Sequence, residues 1–389
     1  MTAANLLLTT CILILFINWA CTEDNSNHTL KYVLYWTSYN VAPFYFIGKG
    51  QENLIKKKCP VNNCYMTTDR NFFGGDLTKF DAIAFNGRNM NIRDIPHNRS
   101  EHQKYIFFNM ECPIRLPTCE AVFDGFYNWT STYKLHSDIP YPYIIIRNKV
   151  TKEIVGPKAD MQWADLPDVD HKIINKIANK TKLAAWFASN CRSPSRREDY
   201  IRELKIAVKP FGHEVDIYGK CGNLDCPKTK RNYCDNMISQ DYYFYLSFEN
   251  SFDEDYVTEK LTRALNYNAV PIVYGGADYS RFLPPGSYID ARQYTPTKLA
   301  SLLHEIFGSP QRYRDFFKWQ NVYSYSDPTM SKNICDVCAA LNDQHKMETK
   351  TVYSNIRDWL LGSNLQRVCN IKKAKQVRKP VSSLFPPIY

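Results

Sequence analysis

Residues 241–275, DYYFYLSFENSFDEDYVTEKLTRALNYNAVPIVYG, constrain this chain more than any other stretch. Tyr242 to Phe248 is an aromatic run without Gly or Pro, the composition of a buried strand. Apolar residues at Val257, Leu261, Ala264 and Leu265 then share one helical face, over Val257 to Asn268. Ala269 to Tyr274 is a second apolar run, closed by Gly275-Gly276. Strand, helix and strand over this length make a right-handed crossover between parallel strands. The fold class is therefore α/β.

The linker inside this unit carries the chemistry. Glu249, Asn250, Ser251, Asp253, Glu254 and Asp255 crowd the carboxyl end of the first strand, where open parallel sheets bind ligands. The helix that follows offers unpaired N–H groups and a partial positive charge, an anion site. Lys260 lies one turn in, beside Glu259. One group suits a phosphate, the other a sugar or ribose hydroxyl. The same letters also describe ordinary surface charge, with Glu259 and Arg263 paired at i,i+4. Spacing alone does not choose.

A chain of 389 residues is long enough for two domains with separate cores. At 44% hydrophobic and 23% charged it is an ordinary globular composition. The formal net charge of +10 suits an anionic ligand without singling one out. Part of it sits in the basic end, at Lys372, Lys373, Lys375, Arg378 and Lys379. No nucleic-acid motif accompanies it, so no RNA or DNA partner is read from it.

Thirteen cysteines is many for a reducing compartment. Eleven lie beyond residue 21, nine of them in close sets: Cys59 and Cys64; Cys112 and Cys119; Cys221, Cys226 and Cys234; Cys335 and Cys338. Zinc would need a second C-x-x-C or an H-x-x-x-H, and neither is present. Sequons at Asn27, Asn98, Asn128 and Asn179 fit an oxidising lumen. Cys59, Cys64, Cys112, Cys119, Cys221, Cys226, Cys335 and Cys338 are thus disulfide candidates. Their pairing is left open, and an odd number leaves at least one thiol over.

Leu6 to Ala20 is apolar apart from Thr9, Thr10 and Asn18. It is short beside the roughly 20 residues of a typical spanning helix, and matches a signal peptide's apolar region equally well. Asn18 stands where a cleavage site wants a small residue, and no Lys or Arg precedes the segment to orient it.

Phe248-Glu249-Asn250-Ser251 followed by Asp255-Tyr256-Val257-Thr258-Glu259-Lys260 resembles the signature of the α1,3/4-fucosyltransferases. Val270-Pro271-Ile272-Val273 and Arg281-Phe282-Leu283-Pro284-Pro285 resemble that family's continuation. The resemblance implies a GT-B architecture, two Rossmann-like domains facing a cleft, with GDP-fucose as donor. It implies Asn250, Tyr256, Glu259 and Lys260 as donor-binding residues. Ser189-Asn190-Cys191 and a downstream Arg resemble the family's other donor-side motif, in a register favouring Arg197 over Arg196. Both lie after the strand Leu183 to Ala188, in a loop leading to a helix from about Pro194 to Leu204 and a strand at Val215 to Tyr218. Two βα loops thus aim polar groups the same way.

Lys31 to Trp36, Phe80 to Phe85 and Tyr105 to Phe108 read as strands of the first domain. Asn109-Met110-Glu111-Cys112-Pro113 places a carboxylate just past the third. By resemblance Glu111 is the catalytic base; by composition it is one acid among 39. Asn128-Trp129-Thr130-Ser131-Thr132-Tyr133-Lys134 and Ser137-Asp138-Ile139 resemble a family block beside the cleft, with Lys134 where many relatives carry Arg. Tyr141-Pro142-Tyr143 reads as an extended aromatic loop. Gly219-Lys220-Cys221-Gly222 resembles invertebrate enzymes acting on the N-glycan core. Thr295-Pro296 opens a helix that Gly308 stops.

The expected organisation is a signal-anchor over 1–22, an acceptor-side domain over 23–165, a donor domain over 166–365 and a basic tail over 366–389. The resemblance implies a single-pass type II protein of the Golgi membrane, or a secreted one if the first segment is cleaved. It implies inverting transfer of fucose to a GlcNAc 3-hydroxyl on glycoprotein N-glycans. No metal is required, with no D-x-D at a strand end, although Mn²⁺ stimulation stays open. The alternative is a catalytically inactive lumenal glycan-binding protein of the same fold; release of GDP from GDP-fucose separates the two.

Overall fold

The computed structural model describes residues 29–370, apart from 117–118, 228, 230, 328–332, 363–364 and 367. The apolar segment 6–20, the sequon at Asn27 and the basic tail fall outside the described residues. Among the described residues no helix is long and apolar enough to cross a membrane.

Strands β1 (Lys31–Tyr35), β2 (Cys64–Thr67), β3 (Ala82–Asn86), β4 (Lys104–Asn109) and β5 (Trp129–Thr132) form one parallel sheet, ordered β2-β1-β3-β4-β5. Side chains alternate between its faces. Val33, Tyr35, Ala84, Ile106 and Phe108 enter one core, while Leu34, Ile83, Phe85, Tyr105 and Phe107 enter another. Both faces are covered, which is why β3 and β4 read as unbroken apolar runs. Strands β6 (Ile145–Asn148) and β7 (Ile154–Gly156) then form an antiparallel pair outside this sheet.

After α1 (His171–Ile177), a second parallel sheet is built from β8 (Lys182–Phe187), β9 (Val215–Tyr218), β10 (Tyr242–Phe248), β11 (Val270–Tyr274) and β12 (Ile289–Asp290), ordered β12-β11-β10-β8-β9. Its helices are α2 (Arg197–Ala207), α3 (Arg231–Asp241), α4 (Glu259–Asn266) and α5 (Pro296–Phe307). Both expected crossovers are present: β10 and β11 pair in parallel around α4, and β8 and β9 around α2. Two helices start later than their sequence pattern. Arg196 takes a left-handed φ of 54°, which ends the loop before α2. The Thr258 N–H before α4 goes to the Glu249 carboxylate.

The end of the chain crosses back. Strand β13 (Tyr323–Ser326) pairs with β6 to complete the small antiparallel sheet. Helix α6 (Asn333–Asn342) then buries Val337, Ala340 and Leu341 on one face of the first sheet, and α7 (Ile356–Leu361) buries Ile356 and Leu360 on the other. The donor domain expected over 166–365 therefore ends earlier in the structure. Residues from about 333 onward complete the first domain, because its sheet lacks enough apolar cover of its own.

Disulfides fix that return: Cys59–Cys335, Cys64–Cys338 and Cys119–Cys369 span 276, 274 and 250 residues. Cys191–Cys221 and Cys226–Cys234 staple the second domain. Of the close sets, only the one at 221–234 contains a pair, Cys226–Cys234. Cys112, a disulfide candidate from sequence, forms none; its buried thiol lies 2.9 Å from Ser251 Oγ. Closing loops this long constrains the unfolded chain strongly. The double variant Cys59→Ser, Cys335→Ser is expected to lose about 2–5 kcal/mol, read as a fall in Tm. An unchanged Tm would show that Cys64–Cys338 and core packing suffice to hold α6.

Candidate functional site

The carboxyl end of β10 delivers Glu249 into the interior, 1% exposed. Its carboxylate accepts the Thr258 N–H at 2.8 Å and the Thr258 hydroxyl at 2.9 Å, and lies 3.0 Å from Lys260 Nζ. Gly275 makes the room: a Cβ there would sit 2.5 Å from the Tyr279 hydroxyl and 3.3 Å from Glu249 Cγ. Lys260 Nζ also donates to Thr258 Oγ1 at 2.6 Å and to Glu259 at 3.2 Å. Burial alone would lower the Lys260 pKa, but the two carboxylates raise it, so the ammonium persists. Burial pushes Glu249 up. Burial acts the same way on Glu259, yet Lys260 and Thr258 override it and hold that carboxyl below its ordinary range.

Arg197, from the start of α2, reaches the same cluster from behind and is 3% exposed. It donates to the Phe248 carbonyl at 2.5 Å and to the Asn190 carbonyl at 3.2 Å. Its fork ties the two βα loops together; its charge, not its N–H groups, is what faces Glu249 and Lys260. Arg196 points to solvent and pairs with Asp199. Asn250 Oδ1 and Asn190 Nδ2 are buried with no hydrogen-bond partner among the described residues. Such atoms at a strand end are ready for a polar ligand. The loops after β8 and β10 line a cavity of about 760 Å³, with Ser193, Ser195, Arg196 and Phe252 on its wall.

Across the cleft, Asn109 ends β4 and sets Glu111. Its Oδ1 accepts the Glu111 N–H at 2.9 Å, and its amide donates to the Glu111 carbonyl at 2.5 Å. The Glu111 carboxylate is 3.4 Å from Arg88. The Tyr143 hydroxyl donates to the Met110 carbonyl. Burial raises the Tyr143 pKa first, and the fields of Glu111, Glu259 and Glu249 add to it. Glu111 and Glu259 line one cavity of about 420 Å³, with Tyr45, Arg88 and Tyr143. Tyr256 lies under it, its ring edge-on to Tyr133 and Tyr143.

The acids at 253–255 have another task. The Tyr133 hydroxyl donates to Asp253. Lys134 lies 3.4 Å from Glu254. Asp255 accepts the Leu135 N–H and an Arg281 N–H, each at 3.0 Å. The 128–138 block thus clasps the donor-side loop, and those acids are used in scaffold rather than ligand contacts. His136, Glu254 and Asp255 come within 4.8 Å of one another, but Lys134 and Arg281 already neutralise the two acids. Asp255→Ala leaves Arg281 and the Leu135 N–H without that acceptor. It is expected to cost about 2–4 kcal/mol, measurable by urea unfolding; a change under about 0.5 kcal/mol would match a plain surface site instead.

Asn98 and Asn179 are exposed, whereas Asn128 is half-buried, accepting the Tyr105 N–H and donating to the Thr351 carbonyl. Sequence reading passed over Glu249, Arg88, Asn109 and Tyr143 as site residues. Glu249 stood inside the quoted motif, but a buried carboxylate is indistinguishable by letter from an exposed one. Arg88 follows a strand end, a position that signals it only once β3 is known to lie beside β4.

Two parallel α/β sheets meet at a cleft with a carboxylate on one wall and a charged cluster on the other. That arrangement defines a GT-B-like transferase. Residues 28–144 match the family pattern described as "Fucosyltransferase, N-terminal", and residues 177–359 match "Glycosyltransferase family 10 (fucosyltransferase) C-term". The chain is 38% identical over 320 residues to alpha-(1,3)-fucosyltransferase C of Drosophila melanogaster, covering 80% of this chain and 72% of that one. It is 31% identical over 367 residues to glycoprotein 3-alpha-L-fucosyltransferase A of the same fly, covering 93% and 66%. A crystal structure of an α1,3-fucosyltransferase with GDP-fucose shares the fold at a TM-score of 0.50 and 16% identity, over 84% of this chain and 92% of that one. The chain belongs to glycosyltransferase family 10, the fucosyltransferases.

Proposed function

We propose that this fucosyltransferase moves L-fucose from GDP-fucose, with inversion, to the 3-hydroxyl of a GlcNAc on glycoprotein N-glycans. The observation that carries the reading is that Glu111 and Glu259, from different sheets, line one cavity. The acceptor enters there. Glu111 takes the proton from its attacking hydroxyl, a contribution of roughly 10²–10⁴ in rate. The nucleotide lies along the carboxyl ends of β8 and β10, in the larger cavity beside Ser195 and Ser251. Lys260 meets the diphosphate, and the buried Arg197 adds its field as charge develops on the leaving phosphate. Glu259 and Tyr256 hold the sugar end of the donor.

The relatives' names support the α1,3 linkage and the donor. Five disulfides and the exposed sequons at Asn98 and Asn179 support a lumenal, oxidising location, with the first segment as the type II anchor in the Golgi membrane. Incubation with GDP-fucose and a panel of defined N-glycans tests the reading. GDP release and a mass gain of one fucose at a GlcNAc are expected. No GDP release with any glycan would reject it.

A further inference from the structure

The N-terminal end of α4 was the place to expect a bound phosphate, yet a side chain of the protein fills part of it. Glu249 holds the Thr258 N–H and the Lys260 ammonium at once. A neutral side chain such as Gln would satisfy Thr258 equally well without the desolvation that a buried carboxylate suffers. The charge itself must therefore matter. Arg197 has Glu198 at 3.5 Å, while Lys260 has Glu249 at 3.0 Å and Glu259 at 3.2 Å. Glu259 is 52% exposed at its side chain, so solvent screens it; Glu249, at 2%, is not screened.

We propose that Glu249 is a resident counter-anion that competes with the nucleotide diphosphate for Lys260 and so keeps the nucleotide product from binding too tightly. The proposal rests on the donor reading above. Free GDP carries one more ionisable phosphate oxygen than its sugar ester. A Lys260 without its buried counter-charge would hold the product more firmly than the substrate. Glu249 offsets that excess from inside the protein, where no salt reaches it.

The test is Glu249→Gln, with GDP and GDP-fucose affinities from calorimetry at fixed ionic strength, beside kcat. The amide oxygen keeps the Thr258 N–H bond while the charge is lost. GDP is expected to bind about tenfold tighter or more, GDP-fucose to gain less, and kcat to fall as release slows. A burst of product in the first turnover should appear. Glu249→Asp, which keeps a buried negative charge near Lys260, should gain less GDP affinity than Glu249→Gln. In a Lys260→Met background the Gln substitution should bring no gain. Unchanged or weaker GDP binding in a well-folded Glu249→Gln protein would overturn the proposal. So would a Glu249→Gln protein that does not fold, which would make Glu249 scaffold. A wild-type protein that binds no GDP would instead sink the donor reading, and this proposal with it.

Discussion

Glu111→Gln should lose transfer by two orders of magnitude or more while GDP affinity stays at the wild-type value. The amide preserves volume and one acceptor oxygen, so the 3.4 Å contact to Arg88 survives in weaker form. The Asn109 bonds that place residue 111 are to its backbone and are untouched. What disappears is the ability to accept a hydroxyl proton. Glu111 touches none of Glu249, Lys260 or Arg197 directly, so nucleotide binding has no reason to change. Calorimetry with GDP and a rate assay at saturating donor give the pair of numbers. Loss of GDP affinity as large as that of a Lys260 variant would move Glu111 into the donor site. Asp138 would be a poor substitute base, since its carboxylate already accepts the Thr130 N–H at 2.8 Å and the Tyr353 hydroxyl at 2.7 Å.

Lys260→Ala should reduce both GDP affinity and turnover, the latter on the order of 10²–10³. On the proposed reading its ammonium meets phosphate in the free nucleotide and in the transition state alike. The structure adds a stability term that a helix-start lysine would not ordinarily carry. Lys260 is 17% exposed at its side chain and is the cation of a carboxylate buried almost completely. Removing it leaves Glu249 with Thr258 alone, so a lower Tm is expected as well. Lys260→Met, which keeps most of the apolar stem, separates the effects better. Full turnover at saturating GDP-fucose in either variant would remove Lys260 from the donor site.

Much of this architecture is legible in the letters, and the failures have physical causes. The aromatic run at 242–248 and the one-faced helix after it are local patterns, and β10, α4 and β11 follow them within a residue or two. Thr295, Pro296 and Gly308 bracket α5 because capping is also local. Strands β2, β6, β7, β12 and β13 are short, at two to four residues, and β13 pairs with β6 from beyond the whole second sheet. No window of residues contains that information. The same limit applies to charge. Glu249, Glu254 and Asp255 look alike on paper; their partners in space set the first against Lys260 and make clasps of the others. Disulfide pairing stayed open in the sequence because three of the bonds join cysteines 250 or more residues apart.

The return of α6 and α7 to the first sheet bears on how the chain is made. A ribosome delivers residue 31 long before residue 335, and domains ordinarily fold as they emerge. Here β1 to β5 would wait with both faces incompletely covered through the synthesis of the whole second domain. The nascent first half is therefore the stage most exposed to misassembly and most in need of chaperones. A chain stopped short of about residue 340 would retain both sheets' strands but not the covering of the first. Truncation from the carboxyl end should thus damage the acceptor wall of the cleft, at the opposite end of the sequence, before it touches the nucleotide wall.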